Sequence, residues 1–356
     1  MVACRRHGAG LVPVLRVYAK LDARAPAGPR GLVGQDGRLD AKRLASKVRE
    51  FEDMGVDGVL VPDHMFVSPG EERDGLQGYV EPVTLLAAVG AISEKMVLGT
   101  IVSNFGIEEP ALLCRRFAEL AELYGGERVL LGMGAGWNAE EWRALGMKMP
   151  PHNERLGRLE EALAVARALF RDGVATLDGD YLKLQGFPMS PWPARPPRLM
   201  VGGGSDRLLG IAGRYADAVD LNGSSRRLAV GGPRPRDADM ERRLTTTVAD
   251  LERSVARVRA AAREVGRPDK LAFSVLISNV VFGGRQDLEA WTRGVTASTG
   301  IPEGSLLDCP YVLFGEVAAV TAALVERVER LSLDAIILNE GAALRQFCHN
   351  VLPALS

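Results

Sequence analysis

A closed (β/α)8 TIM barrel with insertions at the C-terminal face of its strands is the fold this sequence predicts. Two observations carry the prediction: short runs of branched apolar residues alternate with longer segments of helical period, and eight such runs can be counted along the chain. Length agrees, because a plain barrel takes about 250 residues. The chain has 356, which leaves room for insertions.

The first units are "PVLRVYA", "DAKRLASKVREFEDMG", "VDGVLVP", "EPVTLLAAVGAIS", "KMVLGTIVS", "EPALLCRRFAELAELYGG" and "RVLLGMG". The rhythm returns with "PRLMVGGG", "SDRLLGIAGRYA", "DAVDLNG", the long helix "LTTTVADLERSVARVRAAAREVG", "KLAFSVLISN" and "SLDAIILNEG". Strands are expected near 13–18, 57–62, 96–102, 128–132, 198–202, 217–221, 271–278 and 333–339. One insertion, 172–197, reads as a β-hairpin followed by a proline-rich connector. A second, 223–243, is polar and rich in Gly, Pro and Arg, hence a surface loop. It follows a strand, so it belongs to the face where barrel active sites sit. There it is expected to act as a lid, with Arg226, Arg227, Arg234 and Arg236 available to an anionic ligand. No repeat beyond the βα rhythm is visible, so residues 1–356 are expected to form one domain.

With 47% hydrophobic and 25% charged residues, the chain can bury a large core. A formal net charge of -1 removes the electrostatic argument for a nucleic-acid partner. Cys4, Cys114, Cys309 and Cys348 are far apart and form no CxxC pair, so neither a metal site nor a disulfide framework is expected. The apolar stretch near the start is broken by Pro13 and Arg16, and no later segment has the length of a membrane span. A cytoplasmic protein is expected, with a small-molecule substrate, no membrane and a homodimeric assembly.

The C-terminal ends of barrel strands carry the chemistry. Strand 2 ends in Asp63 and His64, and His64 alone of the four histidines falls on a strand end. An imidazole there can take or give a proton near neutral pH, or can simply be hydrogen-bonded into the loop. Strand 3 ends in Ser103 and Asn104, which can hydrogen-bond a planar heterocycle or cap the following helix, although Glu108, Glu109 and Pro110 already look like its start.

Strand 4 runs into "GAGWNA", which formally fits a dinucleotide fingerprint. Three βα units precede it, however, and the acid that should close the next strand about 20 residues on is replaced by a helix. A Rossmann domain is therefore the weaker reading. Strand 5 ends in Gly202, Gly203 and Gly204, then Ser205 and a helix, an arrangement able to hold an anion. Arg155 and Arg158, three apart on one helical face, are either a solvated face or a phosphate clamp.

The ordered set "KMVLGTIVSNFGIEEPALLCRRFAELAELYGGERVLLGMGAGWNAEEWRALG", "HNERLGRLEEALAVARALF" and "PPRLMVGGGSDRLLGIAGRYADAVDLNG" resembles the bacterial luciferase-like superfamily from about residue 40 onward. That resemblance implies a barrel binding FMN or the deazaflavin F420. It implies that Asp63 and His64 lie by the reactive face of the cofactor, with the histidine handling a proton. It also implies a bulge with a non-proline cis peptide near Ile101, Val102 and Ser103, backing the ring. Gly134, Ala135, Gly136 and the glycines of strand 5 would enclose the ring and phosphate region, with Trp137 as a wall. FMN-dependent members often carry a tyrosine directly after the arginine of the "HxxR" segment; here that position is Leu156, which favours F420. The expected activity is F420-dependent hydride transfer with a small organic substrate. The alternatives are a reduced-FMN monooxygenase and a flavin-binding barrel without chemistry, against which the retained His64 argues.

Overall fold

The computed structural model describes residues 4–7, 10–13, 15–25, 32, 38–67, 77–223, 243–267 and 270–355. Its centre is eight parallel strands: β1 (Arg16–Lys20), β2 (Gly58–Val61), β3 (Val97–Thr100), β4 (Val129–Gly134), β5 (Arg198–Gly203), β6 (Ala218–Leu221), β7 (Ala272–Ile277) and β8 (Ala335–Asn339). Each strand pairs with the next, and β8 pairs with β1. The sheet therefore closes on itself and has no free edge.

A helix follows each strand: α1 (Ala41–Asp53), α2 (Pro82–Ile92), α3 (Pro110–Tyr124), α4 (His152–Asp172), α5 (Asp206–Tyr215), α6 (Val248–Glu264), α7 (Val317–Leu331) and α8 (Ala342–Asn350). Their starts are written in the sequence. Asp40 caps α1, accepting from the Lys42 and Arg43 amides. Glu81 and Glu109 cap α2 and α3 just before a proline, where the missing N–H costs nothing. Thr247 and Asp250 cap α6 reciprocally.

Alternation along the strands separates two apolar layers. Tyr18, Leu60, Val97, Leu130, Met200, Leu276 and Ile337 form one cluster, inside the barrel. Their neighbours Val17, Val59, Leu98, Leu131, Val201, Val275 and Ile336 join the larger layer beneath the helices. Under the barrel, the aspartates that precede β2, β6 and β8 reach sideways to the strand before. Asp57, Asp217 and Asp334 accept from the amides of Val17, Leu199 and Phe273 at 2.7, 2.9 and 2.9 Å.

The expected hairpin is present as Val174–Asp178 paired antiparallel with Lys183–Pro188. The first barrel strand begins three residues later than expected, because Gly10–Pro13 belongs to a separate hairpin with Cys4–His7. The sequence reading missed one insertion altogether. After β7, Asn279–Phe282 pairs with Val312–Gly315, with helices Arg285–Thr299 and Glu303–Leu307 between them. Of the lid expected at 223–243, residues 224–242, with Arg226, Arg227, Arg234 and Arg236, lie outside the described residues; only Gly223 and Arg243 at its two ends are described. No described helix is long and apolar enough to cross a membrane.

Candidate active site

Beyond β2 the chain leaves the sheet at Pro62, and the two following residues are held by different partners. The Asp63 carboxylate accepts from the Asn104 amide at 3.1 Å, tying the end of β2 to that of β3. Burial pushes its carboxyl up from 3.8 to about 6, against the opposing Asn104 hydrogen bond, with Glu108 and Glu81 adding repulsion. His64 Nδ1 lies 3.1 Å from Glu141 Oε1, and the same oxygen accepts from the Met65 amide at 2.9 Å. Glu141 is almost fully covered, whereas the imidazole is 21% exposed. Tyr79 and Trp137 meet the imidazole edge-on, with ring centroids 5.6 and 5.4 Å away.

At the end of β3 the Ile101–Val102 peptide is cis, within the segment where the resemblance placed one. The chain then pairs again, Ser103 and Asn104 opposite Met133 and Gly134 of β4. Neither residue caps α3, whose cap is Glu109. The buried Ser103 hydroxyl donates to Thr100 Oγ1, which bridges to the backbone of Gly132. Asn104 presents a buried Oδ1 with no partner among the described residues.

The glycines of the "GMGAGW" loop are explained by this crowding. A Cβ on Gly134 would stand 2.3 Å from Val102 Cγ2, and one on Gly136 would strike Asn104 Oδ1. Gly136 also has φ +69°, which other residues adopt at a cost. Val102 thus fits between β4 and β5, against Gly134 and Gly202. Ala135 packs partly against the core, and Trp137 is exposed apart from its contact with His64.

At the end of β5, Gly202, Gly203, Gly204 and Ser205 are partly open, and Ser205 caps α5, accepting from the Leu208 amide. Arg207 in the first turn donates to the Asn153 carbonyl at 2.9 Å, which brings the start of α4 beside that of α5. Arg155 and Arg158 do not act as a pair. Arg155 donates to the Pro150 carbonyl and approaches His152, its buried Nε having no partner among the described residues. Arg158 is committed to Glu154 and lies over the Tyr181 ring. His152, the first residue of α4, is lowered by burial and by the positive charges of Arg155 and Arg207. Leu156 is a core residue, 1% exposed, so its identity bears on packing rather than on a phosphate.

The contacts join the ends of β2, β3, β4 and β5 into one wall, with the starts of α4 and α5 grouped separately. Three features went unseen in the sequence. Glu141 lies on the short helix Ala139–Ala144 and was not singled out in the sequence. Tyr79 ends the short strand Gln77–Tyr79 in the connection between β2 and α2. The third is a polar cluster at the ends of β1, β6 and β7. There Asp220 accepts from Ser274 and Asn222, Arg243 donates to Asn222 and to the Leu276 carbonyl, and Arg243 lies over Tyr311. Burial raises the Asp220 carboxyl to about 6, and burial and Arg243 lower the Lys20 amine beside it. The signal for this cluster was polar residues at inward positions of otherwise apolar strands.

Residues 23–231 match the model of the luciferase-like monooxygenase family. A protein of Intrasporangium calvum named F420-dependent glucose-6-phosphate dehydrogenase is 30% identical over 218 residues, 60% of this chain and 64% of that one. The chain thus matches somewhat less than two thirds of this relative's length. Among solved structures, an F420-dependent secondary alcohol dehydrogenase in complex with an F420-acetone adduct superposes with a TM-score of 0.70 at 18% identity, over 96% of this chain and 99% of that one. An EDTA monooxygenase from Chelativorans gives 0.73 at 17% identity, over 96% and 93%. These two likenesses concern the fold. With more than half of its length inside the family model, and with the closed barrel that its solved neighbours share, the chain belongs to the luciferase-like monooxygenase family.

Proposed function

We propose that this protein is an F420-dependent oxidoreductase that moves a hydride between the deazaflavin and a small organic substrate, with His64 as the proton donor or acceptor. The observation that carries the reading is the wall at the barrel mouth. A partly open imidazole held by a covered carboxylate stands in the same wall as a buried amide oxygen at Asn104 that has no partner among the described residues. That oxygen is an acceptor waiting for a donor, and the edge of a flavin-like ring offers N–H groups, so the residues fit the cofactor. Asn104, with Val102, Ser103 and the loop Gly134–Trp137, would hold the ring. Gly202–Ser205 and the start of α5, with Arg155, His152 and Arg207 nearby, would hold the anionic tail. Arg158, already paired, contributes by steadying α4 against the hairpin.

F420, when bound, supplies a carbon centre that accepts or gives up hydride. The chain's part is to orient substrate beside His64, to keep water from the mouth and to carry the proton. The relatives named as F420-dependent dehydrogenases support this reading over oxygen chemistry. The test is oxygen-free mixing of the protein with oxidised F420 and a panel of secondary alcohols and sugar phosphates, following loss of the deazaflavin's visible absorbance. Donor-dependent bleaching is expected. Oxygenation of the panel by the protein with reduced FMN, with no bleaching of F420, would overturn the proposal.

A further inference from the structure

We propose that Glu141 is a positioning residue that fixes the tautomer of His64, placing the ring proton on Nδ1 and leaving Nε2 bare toward the barrel mouth. The inference rests on the functional reading above for its consequence, but its geometry stands independently. Glu141 is 2% exposed and reaches the end of β2 from the helix Ala139–Ala144, which Asn138 caps through the Glu140 amide. One carboxylate oxygen, Oε1, serves two contacts: the Met65 amide at 2.9 Å and His64 Nδ1 at 3.1 Å. A carboxylate only accepts, so the imidazole nitrogen facing it has to donate. The opposite tautomer would set two lone pairs against each other at 3.1 Å.

Among the described residues Glu141 makes the carboxylate contact to the imidazole. Asp63 turns Oδ2 to the Asn104 backbone amide instead. Tyr79 and Trp137 touch the ring edge-on, limiting its swing and holding the Nδ1 side toward Glu141. The sequence also places the two carboxylates differently: Asp63 is a neighbour in the chain, whereas Glu141 arrives from the far side of β4 by folding.

The chemical consequence follows from the bare Nε2. With F420 supplying the hydride acceptor, Nε2 would take the O–H proton of an alcohol donor as its C–H hydrogen left as hydride, leaving a carbonyl. The imidazolium so formed sits against the Glu141 carboxylate, whose charge stabilises it. In the reverse direction the same nitrogen returns the proton.

The assignment is tested on the full-length protein labelled with 15N-histidine, by side-chain proton–nitrogen correlation at alkaline pH. The His64 signal is identified by its loss in His64→Gln. Protonated Nδ1 and bare Nε2 are expected; protonated Nε2 with bare Nδ1 overturns the proposal. This measurement needs neither cofactor nor substrate, so failure of F420 to bind would remove the functional reading without touching the tautomer. Glu141→Gln, which keeps the shape and removes the charge, is expected to slow single-turnover hydride transfer by about 10²-fold, the lower end of acid–base catalysis. Its F420 affinity should stay within about threefold, well under the tenfold that 1.4 kcal/mol represents. An unchanged rate in a folded Glu141→Leu protein, whose side chain offers Nδ1–H no acceptor, overturns the positioning role.

Discussion

His64 and Asp63 are adjacent in the chain, yet the fold gives them different work: the imidazole faces Glu141 and the aromatic pair, while the carboxylate braces the end of β3. His64→Ala should therefore lower the chemical step by about 10²–10⁴-fold, as removal of an acid–base group does. Cofactor affinity should hardly change, because the residues assigned to the ring and tail are other ones. A stable variant with an unchanged single-turnover rate would remove His64 from the mechanism. Asp63 makes a prediction of its own. Its folded carboxyl titrates near 6 rather than 3.8, so between those values the native state binds more protons than the unfolded one. Stability contributed by this group is complete below 3.8 and is lost as pH rises through about 6. Asp220, also near 6, adds a slope of the same sign. Asp63→Asn should flatten the fall in denaturation midpoint across that window, and an unaltered slope would contradict the burial account.

At the scale of elements, the barrel strands were legible because a strand covered on both faces shows as a continuous apolar run, and the helices because their caps and prolines precede a helical period. The insertion after β7 was hidden by the same rule. "LAFSVLISNVVF" is one apolar run in sequence, but the chain breaks at Ser278, where the amides of Ser278 and Asn279 both donate to the Tyr311 carbonyl. From there the strand pairs outside the barrel. Glu141 was illegible for a different reason, since an acidic residue on a short helix looks solvated until folding brings it under the β2 end. The aspartates beneath the barrel are elements of stability rather than of chemistry. Asp217 accepts from the amide of the fully buried Leu199 and also meets Arg167 and Arg267. Asp217→Ala should lose about 1–3 kcal/mol of unfolding free energy, mainly from the stranded amide, because the partly exposed ion pairs are screened. Asp217→Asn, which keeps an acceptor, should recover much of it. An Ala variant within about 0.5 kcal/mol of wild type would show that the amide finds water instead.

Over the whole molecule, closure of eight strands gathers side chains from distant sequence positions at one mouth, which is why the ordered set of motifs carried more information than any one of them. The family and the barrel could be read that way. The polar cluster of Lys20, Asp220 and Arg243 could not, because it is assembled from three strand ends and a segment beyond β6. The central claim is that this mouth is built for a deazaflavin. Equilibrium titration of the purified protein with F420 and with FMN, read alongside thermal protection, tests it most directly, because a ligand that binds the native state raises its stability with affinity and concentration. The account predicts saturable F420 binding and a larger thermal shift with F420 than with FMN at equal concentration; tight FMN binding with no response to F420 would contradict it.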